Sequence, residues 1–528
     1  MFTRRHMTPA KPPLIVSTMD ARQNRGVTQG RLPMSADDFA KGWTKRQALA
    51  AGALAFTLPG GALAQSAAPT GGKRKMAEVI AAYASYYDLA KASPAAIAAA
   101  RIAFIDTIGV MLAGSGEEVG HIAFDMVMQE GGARKSTIIG RGLRTSPQLA
   151  ALANGVAAHG MDFDLTYMSG QSTAGIIPAL LALGEAVGAS PREVIAAFIV
   201  ACEIAARLIR VSPQTSALGG WHATGMVGNI AGAVGCARLL KLSRKQMAEV
   251  VGVSVSLASG VSENFGTMTK PLHSGNAARN AVTAAVLAAR GFTSSANALE
   301  GKAGYFATFS RALPTDLTAF DDLGRVDNIV DPSYKLKRYP CGGLSHTSID
   351  AALALREELA GRVDDIAKIE VGVTKNASQR ITGDYPNSIE SAKFSMPYIG
   401  AWTVIHGAPS LVTFTEKAID DPRVKALSTK ISHHVDSEFA DELLHSPGRV
   451  VITMKNGERR EKKVWYASGT LQNPMSAAQI EAKFMDCATH ALRKEQAGKL
   501  YAWLADLPKQ TSFKTLWPML KAGGEQRV

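Results

Sequence analysis

From Lys75 to about Arg311 the chain keeps an almost unbroken helical pattern, rich in Ala, Leu, Ile and Gly. After Ser93-Pro94, the residues Ile97, Phe104, Ile105, Ile108, Met111 and Leu112 recur at spacings of three, four and seven, which is the period of one helix face. Ser as N-cap and Pro at the first helical position open that segment, and the same pair stands at Ser146-Pro147 and Ser190-Pro191. Ser243-Arg-Lys-Gln246 is a capping-box pattern, and Gly275 to Arg290 reads as a further helix ended by Gly291. So long a run, with so many small residues, predicts helices packed closely on one another.

Past about Asp322 the pattern changes. Charge rises, and Ile366 to Val373 alternates apolar and polar positions over at least half its length. Arg449 to Lys455 and Glu458 to Tyr466 flank Asn456-Gly457, a pair suited to a type I′ hairpin turn. Ser476-Ala-Ala-Gln479 then caps a helix running to about Lys494. The fold class expected is mainly α, a large all-helical domain with an inserted smaller α+β lid. The expected boundaries are 65–321 for the helical domain, 322–466 for the lid and 467–528 for helices that return to the first domain.

Charge is informative once it is located. The chain has 58 Lys and Arg against 45 Asp and Glu, a net +13, but residues 1–64 hold nine of the bases and three of the acids. The remaining +7 is modest for a chain of this size, and no basic run interleaved with aromatics appears. Nucleic acid is not an expected partner. Cys202, Cys236, Cys341 and Cys487 are scattered without C-x-x-C or Cys/His spacing, so they read as free thiols and no metal is expected.

The first 64 residues look like a targeting segment. Thr44-Lys45-Arg46 precedes an uncharged apolar run to Leu58, then Pro59-Gly60-Gly61 and Ala62-Leu63-Ala64, the anatomy of an export signal cleaved after Ala64. Its apolar core falls short of the roughly 20 residues that span a bilayer, so no stable membrane anchor is expected. Lys45-Arg46 is similar to a twin-arginine pair with Lys in the first place, and Met34 would give a signal of ordinary length. The expected location is periplasmic, or cytoplasmic if the signal does not function.

No Walker A loop, G-x-S-x-G elbow, H-E-x-x-H or strand-preceded G-x-G-x-x-G occurs. Four polar clusters stand instead in apolar or Gly-rich surroundings. His159-Gly-Met-Asp162-Phe-Asp164 could share a proton between imidazole and carboxylate. Gly220-Trp221-His222 precedes a helix of small residues, whose free amides would depress the His pKa. Lys270-Pro-Leu-His273-Ser-Gly-Asn276 reads as an anion site just ahead of a helix. Tyr334-Lys335-Leu-Lys337-Arg338-Tyr-Pro-Cys341, followed by His346, could clamp a polyanion from the second domain. Each also has a plain structural reading, as a helix end, a cap or a solvated charge run.

In order, these segments resemble the MmgE/PrpD family, which includes 2-methylcitrate dehydratase and cis-aconitate decarboxylase. The resemblance rests on Ala153 to Asp164, Lys270 to Ala278, Gly291-Phe-Thr, Leu299-Glu-Gly301, Lys337 to Cys341, Lys393-Phe394-Ser395, and Asn473-Pro474 through Lys483-Phe484. It implies a helical domain with an α+β lid, a homodimer, no metal and no organic cofactor. By position it implies Asp162 as the active-site acid, His222 as a histidine, Lys270 and Lys337 as the lysines, and Tyr385 as a tyrosine. Leu165 stands where the family carries a second paired acid, and Gln171-Ser172-Thr173 where it carries His-Pro-Ser. Gln cannot exchange a proton, so His159 or Tyr167 would have to take that part, or the reaction differs.

The reading that follows is a lyase acting on a small polycarboxylate by dehydration or decarboxylation. Asp162, His222 and His159 are its catalytic candidates, and Lys270, Lys337, Arg338, His273, Tyr385 and Gln171 its substrate-binding ones. An isomerase or epimerase on the same fold, and a non-catalytic periplasmic carboxylate-binding protein, are the alternatives.

Overall fold

The computed structural model describes residues 75–521 apart from 168–169, 217–218, 311–313, 315, 326, 331–333 and 441–444. The export segment proposed for residues 1–64 lies outside the described residues. Among these, helix accounts for 59% in 19 helices, joined by a small mixed sheet in the C-terminal region.

The helical body is built from α1 (Met76–Tyr86), α2 (Pro94–Gly114), α3 (Glu118–Glu130), α4 (Pro147–Gly160), α5 (Thr173–Val187), α6 (Pro191–Val211), α7 (Ala223–Leu239), α8 (Arg244–Ser256) and α9 (Thr269–Ala289). The Ser-Pro openings behave as expected. Ser93, Ser146 and Ser190 each accept a hydrogen bond from the backbone three residues on, and Ser190 and Ser243 form full capping boxes. Satisfying amides at the helix starts is worth about 1 kcal/mol per cap.

α2 is long and apolar enough to cross a membrane, but most of it is buried against α4, α6 and α12 (Ala477–Ala488). It is a core helix. The larger apolar core takes side chains from Met76 to Leu336 and again from Phe484 to Leu520, the latter including α13 (Lys494–Ala505).

Close approach at one crossing fixes the site. α4 and α9 meet at two glycines: a Cβ on Gly155 would lie 2.8 Å from the Gly275 Cα, and one on Gly275 would lie 2.6 Å from the Leu152 carbonyl oxygen. Neither neighbour is the end of a flexible side chain, so the helices can touch only through glycine. Gly155→Ala should therefore cost about 1–3 kcal/mol in denaturant unfolding and displace the two helix ends described below. Unchanged stability would show that the crossing has slack.

A two-stranded antiparallel ribbon, β1 (Ser136–Thr137) with β2 (Arg144–Thr145), packs against α5, and a second apolar cluster, from Tyr339 to Met454, surrounds the four-stranded C-terminal sheet. Its strand order is β4-β3-β5-β6, with β3 (Ile366–Val373) parallel to β4 (Ile431–Val435) and antiparallel to β5 (Gly448–Met454), which pairs antiparallel with β6 (Arg459–Val464). α10 (His346–Leu359) covers β5 and β6 and packs against α11 (Met396–His406). A register shift between Ile366 and Lys368 explains why β3 alternates over only part of its length. Ala367 and Lys368 are both exposed beside it, as an inserted residue requires.

Two expectations are corrected here. The Asn456-Gly457 turn joins β5 to β6, but only Gly457 has positive φ (+88°), whereas a type I′ turn needs both central residues there. The Gly457 amide bonds to the Met454 carbonyl at 2.9 Å and the Met454 amide to that of Glu458 at 2.8 Å, a three-residue loop with glycine in the left-handed position. In addition, α9 begins at Thr269, six residues before Gly275. Lys270 to Ser274 are thus inside its first turns, where Pro271 is tolerated.

Candidate active site

Three segments converge on Asp162. The first is the end of α4, where Asp162 itself takes φ +48°, a left-handed conformation that Asp tolerates better than most side chains. The second is the first turn of α9, which supplies Lys270. The third is an extended strip from Tyr334 to Lys337, held by paired backbone bonds between Thr166 and Lys335 and by the Leu336 amide on the Gly469 carbonyl. Two-residue periodicity puts Lys335 and Lys337 on one face and Leu336 on the other, in the core.

The geometry around Asp162 is tight. Its Oδ1 accepts from Lys270 Nζ at 2.6 Å and Gln171 Nε2 at 2.9 Å, with Lys337 Nζ at 3.0 Å. Lys337 Nζ also donates to the Asp162 carbonyl at 2.7 Å. Oδ2 has no hydrogen-bond partner among the described residues. Burial alone would raise this carboxyl, but Lys270 and Lys337 overcome it and hold Asp162 well below the usual carboxylate range. Burial lowers the Lys270 ammonium, and Asp162 pulls it back. The rings of Phe265 and Phe394 stand 5.6 and 5.5 Å from Lys270 Nζ, so water is kept from it while the aromatic faces favour its charge.

Three histidines lie beside this centre. His222, the N-cap of α7, places Nδ1 3.1 Å from His273 Nδ1, and its buried Nε2 has no partner among the described residues. His159 stacks on His222 with centroids 5.3 Å apart and turns Nδ1 to Asp164 at 2.9 Å. Burial drives His222 well below its ordinary value, with His159 and Lys270 adding to the shift. The cause is burial first, rather than the helix amides expected from the sequence. Burial likewise lowers His159 and, with Lys270, takes His273 to about 4, while it raises Asp164 to about 7 against the pull of Lys337.

A cleft of about 360 Å³ opens onto the centre, lined at its floor by Asp162, Gln171, His222 and Lys270 and on its walls by Lys335, among others. Burial lowers Lys335 to about 8, and its Nζ donates to the Gly343 carbonyl at 2.8 Å.

The remaining candidates do not line the cleft. Lys337 stands behind Asp162, and His159 and His273 stand behind His222, so all three position groups that face the cleft. Arg338 turns to Ser468 Oγ at 3.4 Å and lies over the Tyr339 ring, and the Tyr385 hydroxyl donates to the Ile419 carbonyl at 2.7 Å. Neither binds at the floor. Sequence reading gave no separate role to Lys335, although its spacing of two from Lys337 was a usable signal. It missed Phe265, Trp465 and Tyr466, which arrive from distant segments with no local mark.

Ligand atoms of His159, Asp162 and Asp164 lie within 4.8 Å of one another. A cation there would compete with two ammonium groups already on Asp162 and with the His159–Asp164 bond. The residues present suit a lysine-neutralised carboxylate better than a metal.

A helical body that sets a buried carboxylate, an ammonium group and an imidazole at a cleft floor, with a second lysine behind the carboxylate, defines an acid–base centre. The chain belongs to the MmgE/PrpD family, whose N-terminal domain matches residues 78–317 and whose C-terminal domain matches residues 339–506. Members of the family are lyases, dehydratases or decarboxylases. Among curated relatives, the human cis-aconitate decarboxylase is 28% identical over 440 residues, 80% of this chain and 90% of that one. The mouse cis-aconitate decarboxylase is 27% identical over 437 residues, covering 80% and 88%. The Aspergillus terreus cis-aconitate decarboxylase is 24% identical over 409 residues, covering 72% and 83%.

Proposed function

We propose that this protein is a lyase that removes carbon dioxide or water from a small polycarboxylate through an enolate-like anion. The observation that carries the reading is the Asp162–Lys270 pair at the cleft floor, a buried carboxylate with one oxygen unpaired beside a desolvated ammonium. The likeness to cis-aconitate decarboxylases favours carbon dioxide as the leaving group.

Lys270 and Lys335 hold substrate carboxylates and take up negative charge as it develops, a preorganised stabilisation that often contributes more to such reactions than any other effect. In a decarboxylation the bond to the leaving carboxylate breaks, its electron pair passes into the adjoining unsaturated acid, and a proton is then delivered to carbon. Asp162 and His222 handle that proton: in a dehydration they take it from the carbon next to the carboxylate, and in a decarboxylation they pass to carbon one taken up from solvent. A substrate carboxylate on Lys270 draws the ammonium away from Asp162 and raises the basicity of its free oxygen. His222 is neutral because burial disfavours its cation. Gln171 cannot move a proton, and it fixes Asp162 instead.

Carbon dioxide release from cis-aconitate, measured beside alkene formation from citrate and 2-methylcitrate, tests the reading. Neither product from any of the three acids would remove the lyase assignment. The pH profile tests the base. The folded-state value of His222 lies below 6.5, so its neutral form persists as pH falls through that point, and any acid limb of kcat/KM due to His222 should lie below pH 6.5. A limb at or above 6.5 that is lost in His222→Gln would contradict the lowered value, and a profile and rate unchanged in His222→Gln would exclude it from the proton path.

Export to the periplasm and assembly as a homodimer are part of the same proposal. N-terminal sequencing of the mature protein should begin at Gln65, and retention of residues 34–64 would count against export.

A further inference from the structure

The walls of the cleft do not match its floor. A small polycarboxylate is polar over most of its surface and needs a donor or solvent at nearly every face. The cleft nevertheless carries Trp221, Phe265, Leu344, Ile381, Trp465 and Tyr466. Trp221 spends its single donor on the Phe309 carbonyl at 3.1 Å, outside the cleft, so what it offers a ligand is apolar ring surface.

Trp465 and Tyr466 leave 45% and 43% of their surface uncovered. They are not loosely held. The His445 imidazole lies 6.3 Å from the Trp465 ring and 4.9 Å from that of Tyr466, within 25° of parallel to each, and Phe439 meets Trp465 edge-on at 5.7 Å. Lys463 sets its ammonium over the Trp465 ring at 5.4 Å. Fixed, uncovered aromatic surface with a polar rim marks a binding site rather than a chance exposure. A volume of about 360 Å³ also falls in the ~300–1,000 Å³ range of clefts that enclose drug-sized ligands. Arg380 bonds to the Asn376 side chain, so its guanidinium is already partly engaged.

We propose that the acid this cleft takes carries a bulky apolar substituent, best an aromatic ring, laid against Trp221, Trp465 and Tyr466 while its carboxylates meet Lys270 and Lys335. The inference rests on reading the cleft as a carboxylate site, and it narrows the substrate class to acids more apolar than cis-aconitate. It makes Trp465 a specificity-determining residue. Trp465 is nearly half exposed, so its truncation leaves the core intact.

Calorimetric titration of the full chain with methylsuccinate and benzylsuccinate tests it. Benzylsuccinate should bind at least about tenfold more tightly, since even one methylene in an apolar pocket is worth roughly that much. Trp465→Ala should bring the two acids to within about threefold of each other. Equal affinity of the wild type for both acids overturns the proposal, as does a preference that survives in both Trp465→Ala and Trp221→Ala. Turnover of cis-aconitate without the benzyl preference overturns this inference and leaves the lyase reading standing. The preference without turnover of any acid supports the apolar wall and removes the lyase. Binding of neither acid overturns the wall and the carboxylate site together.

Discussion

Asp162→Asn should lower turnover by about 10²- to 10⁴-fold, the usual contribution of a positioned acid or base. The substitution keeps shape and hydrogen-bonding capacity but removes the charge that Lys270 and Lys337 face at 2.6 and 3.0 Å. Two ammonium groups would then be buried without their counter-ion, at a cost of about 3–5 kcal/mol in stability. The sign with pH follows from the depressed carboxyl of Asp162. Its contribution is fully present above the unfolded value near ~3.9 and is lost as pH falls through the lower folded value. The stability gap between wild type and variant, measured by denaturant unfolding, should therefore be widest near neutrality and narrow below about pH 4. A gap independent of pH would mean that the charge of Asp162 is not what the lysines pair with.

Lys483→Met should be strongly destabilising although the residue lies outside the cleft. Lys483 on α12 lies 2.5 Å from Asp106 Oδ1 on α2 and donates to the carbonyls of Phe163 at 2.7 Å and Lys337 at 2.8 Å. Its Nζ also stands 3.9 Å from the centre of the Phe163 ring. Burial raises the Asp106 carboxyl and Lys483 draws it down. Removing the lysine leaves a buried acid and two carbonyls with a lost donor, at about 3–5 kcal/mol. The double variant Asp106→Leu/Lys483→Met should recover much of that loss, because an apolar pair of similar volume carries no desolvation cost. Activity should also fall in Lys483→Met, since Phe163 adjoins Asp162 and Lys337 grips it. A single variant as stable as the double would show that no charge is stranded.

Local signals carried the helical body. Ser-Pro caps and capping boxes depend on four consecutive residues, and Ser93, Ser146, Ser190 and Ser243 all cap as read. Signals failed where structure depends on distant partners. β4 went unseen because only Ile431 of its five residues is buried, so an edge strand shows no alternation. The start of α9 was placed late because Lys270-Pro271 looks like a loop, and only Asp162 across the α4 crossing makes a lysine acceptable in a first turn, where the helix dipole disfavours it.

The same division holds in the site. Asp162, His222 and Lys270 stood out as polar residues in apolar stretches and Gln171 as a departure from the family pattern, and the four meet at the cleft floor. Lys337 stood out too, but its neighbours turn it toward the Asp162 backbone rather than the cleft. Tyr385 came from the family resemblance and Arg338 from its run of cations, and tertiary packing spends both elsewhere. The aromatic wall had no such mark, since Trp221 and Trp465 lie 244 positions apart in sequence.

The most direct test of the central claim is proton NMR in D₂O of wild type and Asp162→Asn, each incubated with cis-aconitate and with benzyl-substituted polyacids. The account predicts that the wild type forms a new product carrying deuterium on carbon, and that Asp162→Asn forms it at least about a hundredfold more slowly. Deuterium exchange without elimination or loss of carbon dioxide would make the enzyme an isomerase. Equal rates of product formation in the two proteins would contradict the account, because they would place the chemistry away from the Asp162–Lys270 pair.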